Sequence, residues 1–122
     1  MQTLFYLSTC DTCKRIMKNL DLPNSIYLQD IKKEPITPDQ LESMFTITGS
    51  YEKLFNKRAQ LYRKRELNKK QLREEDYKDL LLEHYTFLKR PVLVDGTHIF
   101  IGNNKANIAE LEKRYDDNSI AQ

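Results

Sequence analysis

Thr3-Leu4-Phe5-Tyr6-Leu7-Ser8-Thr9-Cys10-Asp11-Thr12-Cys13-Lys14-Arg15-Ile16-Met17-Lys18-Asn19-Leu20 places an apolar run, the only two cysteines and a helix-like run in one stretch. Gln2 to Leu7 has the pattern of a short buried strand, and a helix is predicted from the cysteine loop to about Leu20. A cysteine at the first turn of a helix faces unpaired backbone N–H groups and the positive end of the helix dipole, which both stabilise thiolate over thiol. In such settings a thiol pKa falls from about 8.5 to roughly 3.5–7.5. Cys10 is therefore the candidate nucleophile. Cys13, one turn on, is placed to resolve a mixed intermediate by closing a disulfide. Lys14 and Arg15 are expected to add local positive charge. Two other readings of the spacing stand beside this one. Two inert core thiols would look the same, and so would half of a zinc site, although His84 and His98, the only histidines, lack ligand spacing to each other. No metal is expected.

Pro23 and Asn24 break the chain, and Ser25 to Ile31 then alternates like a second strand. Strand, helix and strand in this order form a parallel crossover unit. After Pro35, Thr37-Pro38-Asp39-Gln40 is a helix start with Thr37 as N-cap, Pro38 in the first turn and Gln40 at the capping-box position. Leu41, Met44 and Phe45 supply the apolar face, and Gly49 is a terminator. Tyr51, Leu54 and Phe55 suggest a short helix, and a further helix is predicted from Glu74 to His84 with Tyr77, Leu80, Leu81 and Leu82 in its buried stripe. The last third returns to strands. Pro91 to Val94 and His98 to Ile101 flank Asp95-Gly96, a two-residue hairpin signal. A final helix is expected over Asn104–Tyr115, with Ile108, Leu111 and Tyr115 on one face, and residues 116–122 as a frayed tail. The pattern predicts an α/β fold with a four-stranded mixed sheet, but it does not order the strands.

At 122 residues the chain is long enough for one core without metal or disulfide staples. It has no apolar stretch of membrane-spanning length and no signal-peptide pattern at its N-terminus, so a cytoplasmic protein with no membrane partner is expected. In that compartment a paired cysteine is more often catalytic or sensing than structural. Charge is unevenly spread. Lys53, Lys57, Arg58, Arg63, Lys64, Arg65, Lys69 and Lys70 face Glu66 alone in one run. Such a run suits an anion or an acidic partner, and equally a solvated helix face. Aromatic residues are sparse within it, so nucleic-acid binding is not expected.

Thr9-Cys10-Asp11-Thr12-Cys13-Lys14, Leu54-Phe55-Asn56-Lys57-Arg58, Arg90-Pro91 and Ile101-Gly102 together resemble the arsenate reductase ArsC/Spx family over nearly the whole chain. The resemblance implies a thioredoxin-like fold over residues 1–115 with a helical insertion at about 37–88. It implies that Cys10 is the nucleophile, that Arg90 faces the anion, and that Pro91 is the cis proline beside the cysteine loop. Thr12 and Arg58 join the expected substrate-binding set. Arsenate reductases of this class have one loop cysteine, rely on glutathione and carry three arginines around the oxyanion. Here Asn56 and Ile101-Gly102 stand where two of those arginines would be, so only Arg90 remains. The expected function is a monomeric thiol–disulfide oxidoreductase acting on a small thiol or oxyanion substrate. It would hold no bound cofactor and would draw on glutathione or another thiol reductant. The alternative is a Spx-like redox-sensing regulator that binds RNA polymerase.

Overall fold

The protein is described here by a computed structural model covering residues 1–115; the tail expected at 116–122 lies outside the described residues. In chain order the elements are β1 (Gln2–Tyr6), α1 (Asp11–Lys18), β2 (Tyr27–Asp30), α2 (Pro38–Thr48), α3 (Gln60–Lys64), α4 (Glu74–Glu83), β3 (Val92–Asp95), β4 (His98–Ile101) and α5 (Lys105–Arg114), with single 3₁₀ turns at Glu52–Leu54, Leu67–Lys69 and Tyr85–Phe87. They fall into two compact units. One is Met1–Glu34 together with the chain from Arg90, and the other is Pro35–Lys89.

The first unit holds the mixed four-stranded sheet, in the order β2-β1-β3-β4. β1 runs parallel to β2 and antiparallel to β3, and β3 and β4 form a hairpin. On one face Leu4 and Leu93, paired across β1 and β3, pack with Ile16 and Leu20, with Leu111 from the last helix and with Tyr115 just after it. Phe5, Val92 and Val94, on the opposite face, are also buried, so the central strands carry apolar residues at successive positions. β2 is shorter than its sequence pattern. Ile26 closes a turn onto the Pro23 carbonyl, and the Lys33 and Glu34 amides turn back onto the Asp30 carbonyl. The pattern is also broken, because Tyr27 and Leu28 are exposed while Gln29 and Asp30 are buried. The hairpin turn differs from its sequence signal by one position. Asp95 pairs with His98, so the two-residue loop is Gly96-Thr97. Gly96 takes φ 64°, a left-handed conformation that glycine adopts without a Cβ penalty.

The second unit is helical. Thr37 forms the expected capping box, its hydroxyl accepting from the Gln40 amide at 3.1 Å while the Gln40 side chain accepts from the Thr37 amide at 3.0 Å. Gly49, at φ 70°, ends α2 by donating to the Phe45 carbonyl. The interior is aromatic. Phe55 stacks on Phe87 with ring centroids 5.1 Å apart and meets Tyr77 and Tyr62 edge-on. Of the predicted stripe on α4, Tyr77 and Leu81 are buried while Leu80 and Leu82 are only half-buried. The Asn56 amide bonds the Phe87 carbonyl and the Lys89 amide bonds the Leu54 carbonyl, tying the two ends of the aromatic segment together.

Candidate active site

The sheet register brings the first unit's chemistry to one end. β1 leaves the sheet after Tyr6 and leads to Cys10, while antiparallel β3 enters it at Val92, paired with Phe5, directly after Arg90 and Pro91. Val92 also pairs with Ile101, so β4 ends there too. The Arg90–Pro91 peptide is cis, and the Pro91 carbonyl accepts from the Gly102 amide at 2.8 Å. Cys10 is the N-cap residue of α1, with extended backbone, and Thr12 and Cys13 lie in the first turn. The Cys10 amide donates to the Leu7 carbonyl at 3.0 Å, and the Lys14 amide donates to the Cys10 carbonyl at 3.1 Å. The sequence pattern thus locates the nucleophile candidate at the mouth of a helix.

Both cysteines are free thiols, Cys10 half-buried and Cys13 with no exposed surface. Burial raises the Cys10 thiol, but the Cys13 amide, the Cys13 thiol and the Arg90 guanidinium together outweigh it, leaving Cys10 below the ordinary value. The amide does not meet capping hydrogen-bond geometry toward the neutral sulfur. It acts on the thiolate as an oriented dipole. Cys13 moves the other way. Burial, opposed by the Leu7 backbone and reinforced by the charge of Cys10, pushes it up to about 12. One thiol of the pair is poised to ionise and its neighbour is held protonated.

The positive charge that acts on Cys10 is Arg90, not the cations next to it in sequence. Lys14 lies 3.8 Å from the Asp11 carboxylate in an exposed pair, and the groups that act on Cys10 are Cys13 and Arg90. Two residues that sequence reasoning passed over complete the loop. Asp30, at the end of β2, accepts from the Ser8 amide at 3.3 Å and from the Lys32 amide at 3.2 Å. A hydrogen bond from the Ser8 hydroxyl, opposed by burial, holds the Asp30 carboxyl below its usual range. The only hint in the sequence was an acidic residue at the end of an otherwise apolar alternation.

Cys10, Thr12, Cys13, Arg90 and Pro91 belong to the first unit, and Arg58 belongs to the second. Arg58 is exposed, and its amide donates to the Asn56 side chain at 3.0 Å. The basic run around it is partly neutralised, by two acids outside the run and by Glu66 within it. Lys57 pairs with Glu52 at 2.6 Å and Arg65 with Glu83 at 2.8 Å, while Lys69 takes Glu66 at 2.9 Å. Among the described residues no three His, Cys, Asp or Glu side chains group as a metal site, and no helix is long and apolar enough to cross a membrane.

A family model described as ArsC matches residues 5–111, and the chain belongs to the ArsC family. Its sheet and helices are those of a thioredoxin-like α/β protein. The chain is 26% identical, over its full length and 93% of the relative's, to a protein named global transcriptional regulator Spx from Streptococcus pyogenes serotype M1. A solved structure named a possible arsenate reductase from Streptococcus mutans UA159 is 32% identical, covers 86% of this chain and 92% of its own, and superposes with a TM-score of 0.69. Another, named the YffB (PA3664) protein, gives a TM-score of 0.74 at 25% identity, covering 91% of this chain and 98% of its own.

Proposed function

We propose that the protein is a thiol–disulfide oxidoreductase in which Cys10 attacks and Cys13 resolves. The observation that carries this reading is the opposite displacement of the two thiols within one helical turn. The Cys10 thiolate attacks one sulfur of a disulfide R–S–S–R′. The S–S bond breaks, R′S⁻ leaves, and a Cys10–S–S–R bond forms. Cys13 then gives up its proton to the departing thiolate and attacks the Cys10 sulfur, expelling RS⁻. The substrate disulfide gains two electrons and becomes two thiols, while the cysteine pair becomes a disulfide. A thiol reductant such as glutathione restores the pair. Arg90 stabilises the Cys10 thiolate and offers its guanidinium fork to an anionic substrate group, and Thr12 and Pro91 line the approach.

The test is reduction of a small mixed disulfide by the reduced protein. Cys10→Ser is expected to abolish it, and Cys13→Ser to stall as a mixed disulfide on Cys10. Unchanged turnover in Cys10→Ser would end this reading. Glutathione-coupled arsenate turnover is expected to be negligible, because each charge-assisted hydrogen bond contributes roughly 1.5–3 kcal/mol and only Arg90 of the three family arginines is kept. The second reading is a redox-sensing regulator that binds RNA polymerase through a surface altered by the Cys10–Cys13 disulfide. Its support is the full-length likeness to proteins named Spx. Redox-dependent retention of purified polymerase, with no disulfide turnover, would favour it over the enzyme.

A further inference from the structure

We propose that Asp30 is a positioning residue for Cys10: its carboxylate fixes the Leu7–Cys10 turn and so holds the sulfur at the N-terminus of α1. This rests on Cys10 being the nucleophile. The turn carries one internal hydrogen bond, from the Cys10 amide to the Leu7 carbonyl. What anchors it from outside is Asp30, whose Oδ1 accepts both the Ser8 and Lys32 amides. Only Thr9 separates Ser8 from Cys10, so a shift at Ser8 passes to the sulfur over two residues. Asp30 is itself held firmly. It pairs with Tyr6 across the sheet, the Ile31 amide donates to the Tyr6 carbonyl at 2.9 Å, and the Glu34 amide caps the Asp30 carbonyl at 2.7 Å.

A strand end needs no carboxylate for pairing. Asp30 is only 9% exposed, and a charge at that depth is costly unless it is bonded as this one is. Nor does its charge help the nucleophile. A nearby anion disfavours a thiolate, and the groups acting on Cys10 are its burial, Cys13 and Arg90. Placement and charge therefore predict opposite signs. Removing a negative charge lowers the Cys10 midpoint, whereas losing the loop geometry raises it.

The experiment measures the pH midpoint of Cys10 alkylation in the full chain, together with thermal stability, for Asp30→Asn, Asp30→Ala and Asp30→Glu. Asparagine keeps an acceptor oxygen at the Oδ1 position and loses only the charge, so the midpoint is expected at or slightly below the wild-type value. Alanine removes the acceptor and is expected to raise the midpoint by about one pH unit, which leaves roughly tenfold less thiolate at any pH below both midpoints. Glutamate keeps the charge but moves the oxygen by one methylene, and should also raise it. Should Asp30→Ala not fold, the contrast between Asn and Glu decides. A wild-type midpoint in both Ala and Glu variants, whatever their melting temperatures, overturns the proposal, and so does a lowered midpoint in both Asn and Ala. An ordinary thiol midpoint in the wild-type protein would instead sink the nucleophile itself, which is a separate failure.

Discussion

Replacing Arg90 with methionine removes the one guanidinium that acts on Cys10 while keeping an unbranched apolar stem in its place. Charge-assisted hydrogen bonds contribute roughly 1.5–3 kcal/mol, and one pKa unit corresponds to about 1.36 kcal/mol. Those figures allow a rise of one to two units. Cys10 is half-exposed, so solvent screening trims the effect, and the Cys13 amide and thiol come ahead of Arg90 among the groups that lower it. The expected rise is therefore about one unit. Its kinetic expression is a crossover. Below both midpoints a one-unit rise cuts the thiolate population about tenfold, but the more basic thiolate is intrinsically faster by about threefold, since its Brønsted coefficient is ~0.4–0.5. Alkylation of Cys10 should slow about threefold at pH values below both midpoints and quicken about threefold on the alkaline plateau. Iodoacetamide rates across pH, read by mass spectrometry of the Cys10–Cys13 peptide, measure both limbs. Curves that stay parallel without crossing would refute an electrostatic role for Arg90.

Tyr115 donates to Asp95 Oδ2 at 2.6 Å, and Arg114 and Gln2 also bond that carboxylate, which lies below its usual pKa through these three donors, Tyr115 first. A depressed folded value means stability that is present above the unfolded carboxyl range and lost as pH falls through the folded one. Tyr115 is the mirror case. Burial and Asp95 push it up to about 12, so its contribution is complete below about pH 10 and lost as pH rises toward 12. Tyr115→Phe should lower stability by about 1–2 kcal/mol at neutral pH and blunt both limbs of the pH–melting curve; an unchanged alkaline limb would contradict the assignment. Phe55→Ala, which empties the centre of a four-ring cluster, should cost about 3–5 kcal/mol in urea unfolding. Thr37→Ala, which breaks the capping box, should cost about 1 kcal/mol in the same assay.

Much of both units was legible because local chemistry set it. The Thr3–Leu7 run, the Pro23-Asn24 break, Thr37 with Gln40, and the glycines at 49 and 96 each leave a local mark. The order of strands did not. β1 pairs with β3 across the whole intervening helical segment, and alternation within a strand says nothing about its partner. The turn at Gly96-Thr97 was displaced by one residue because Asp95 is drawn into the ladder opposite His98. At the site, helix-start chemistry marked Cys10, while Arg90 and Pro91 were recognisable only through the family's pattern. Ser8 and Asp30 were missed because their relation crosses from one strand end to another. The basic run left two readings open for the same reason, since Glu52 just before it and Glu83 further along the chain answer part of its charge.

The split between the two thiols has a consequence for proton traffic. Part of what holds the proton on Cys13 is the negative charge of Cys10. When Cys10 forms a bond to another sulfur, that charge disappears and Cys13 becomes easier to ionise without any residue moving. In the proposed reaction the pair therefore carries a single negative charge at a time, handed from the first sulfur to the second by bond formation. Its second step is gated by completion of the first: loss of the charge on Cys10 eases the ionisation of Cys13, and the departing thiolate takes up the proton.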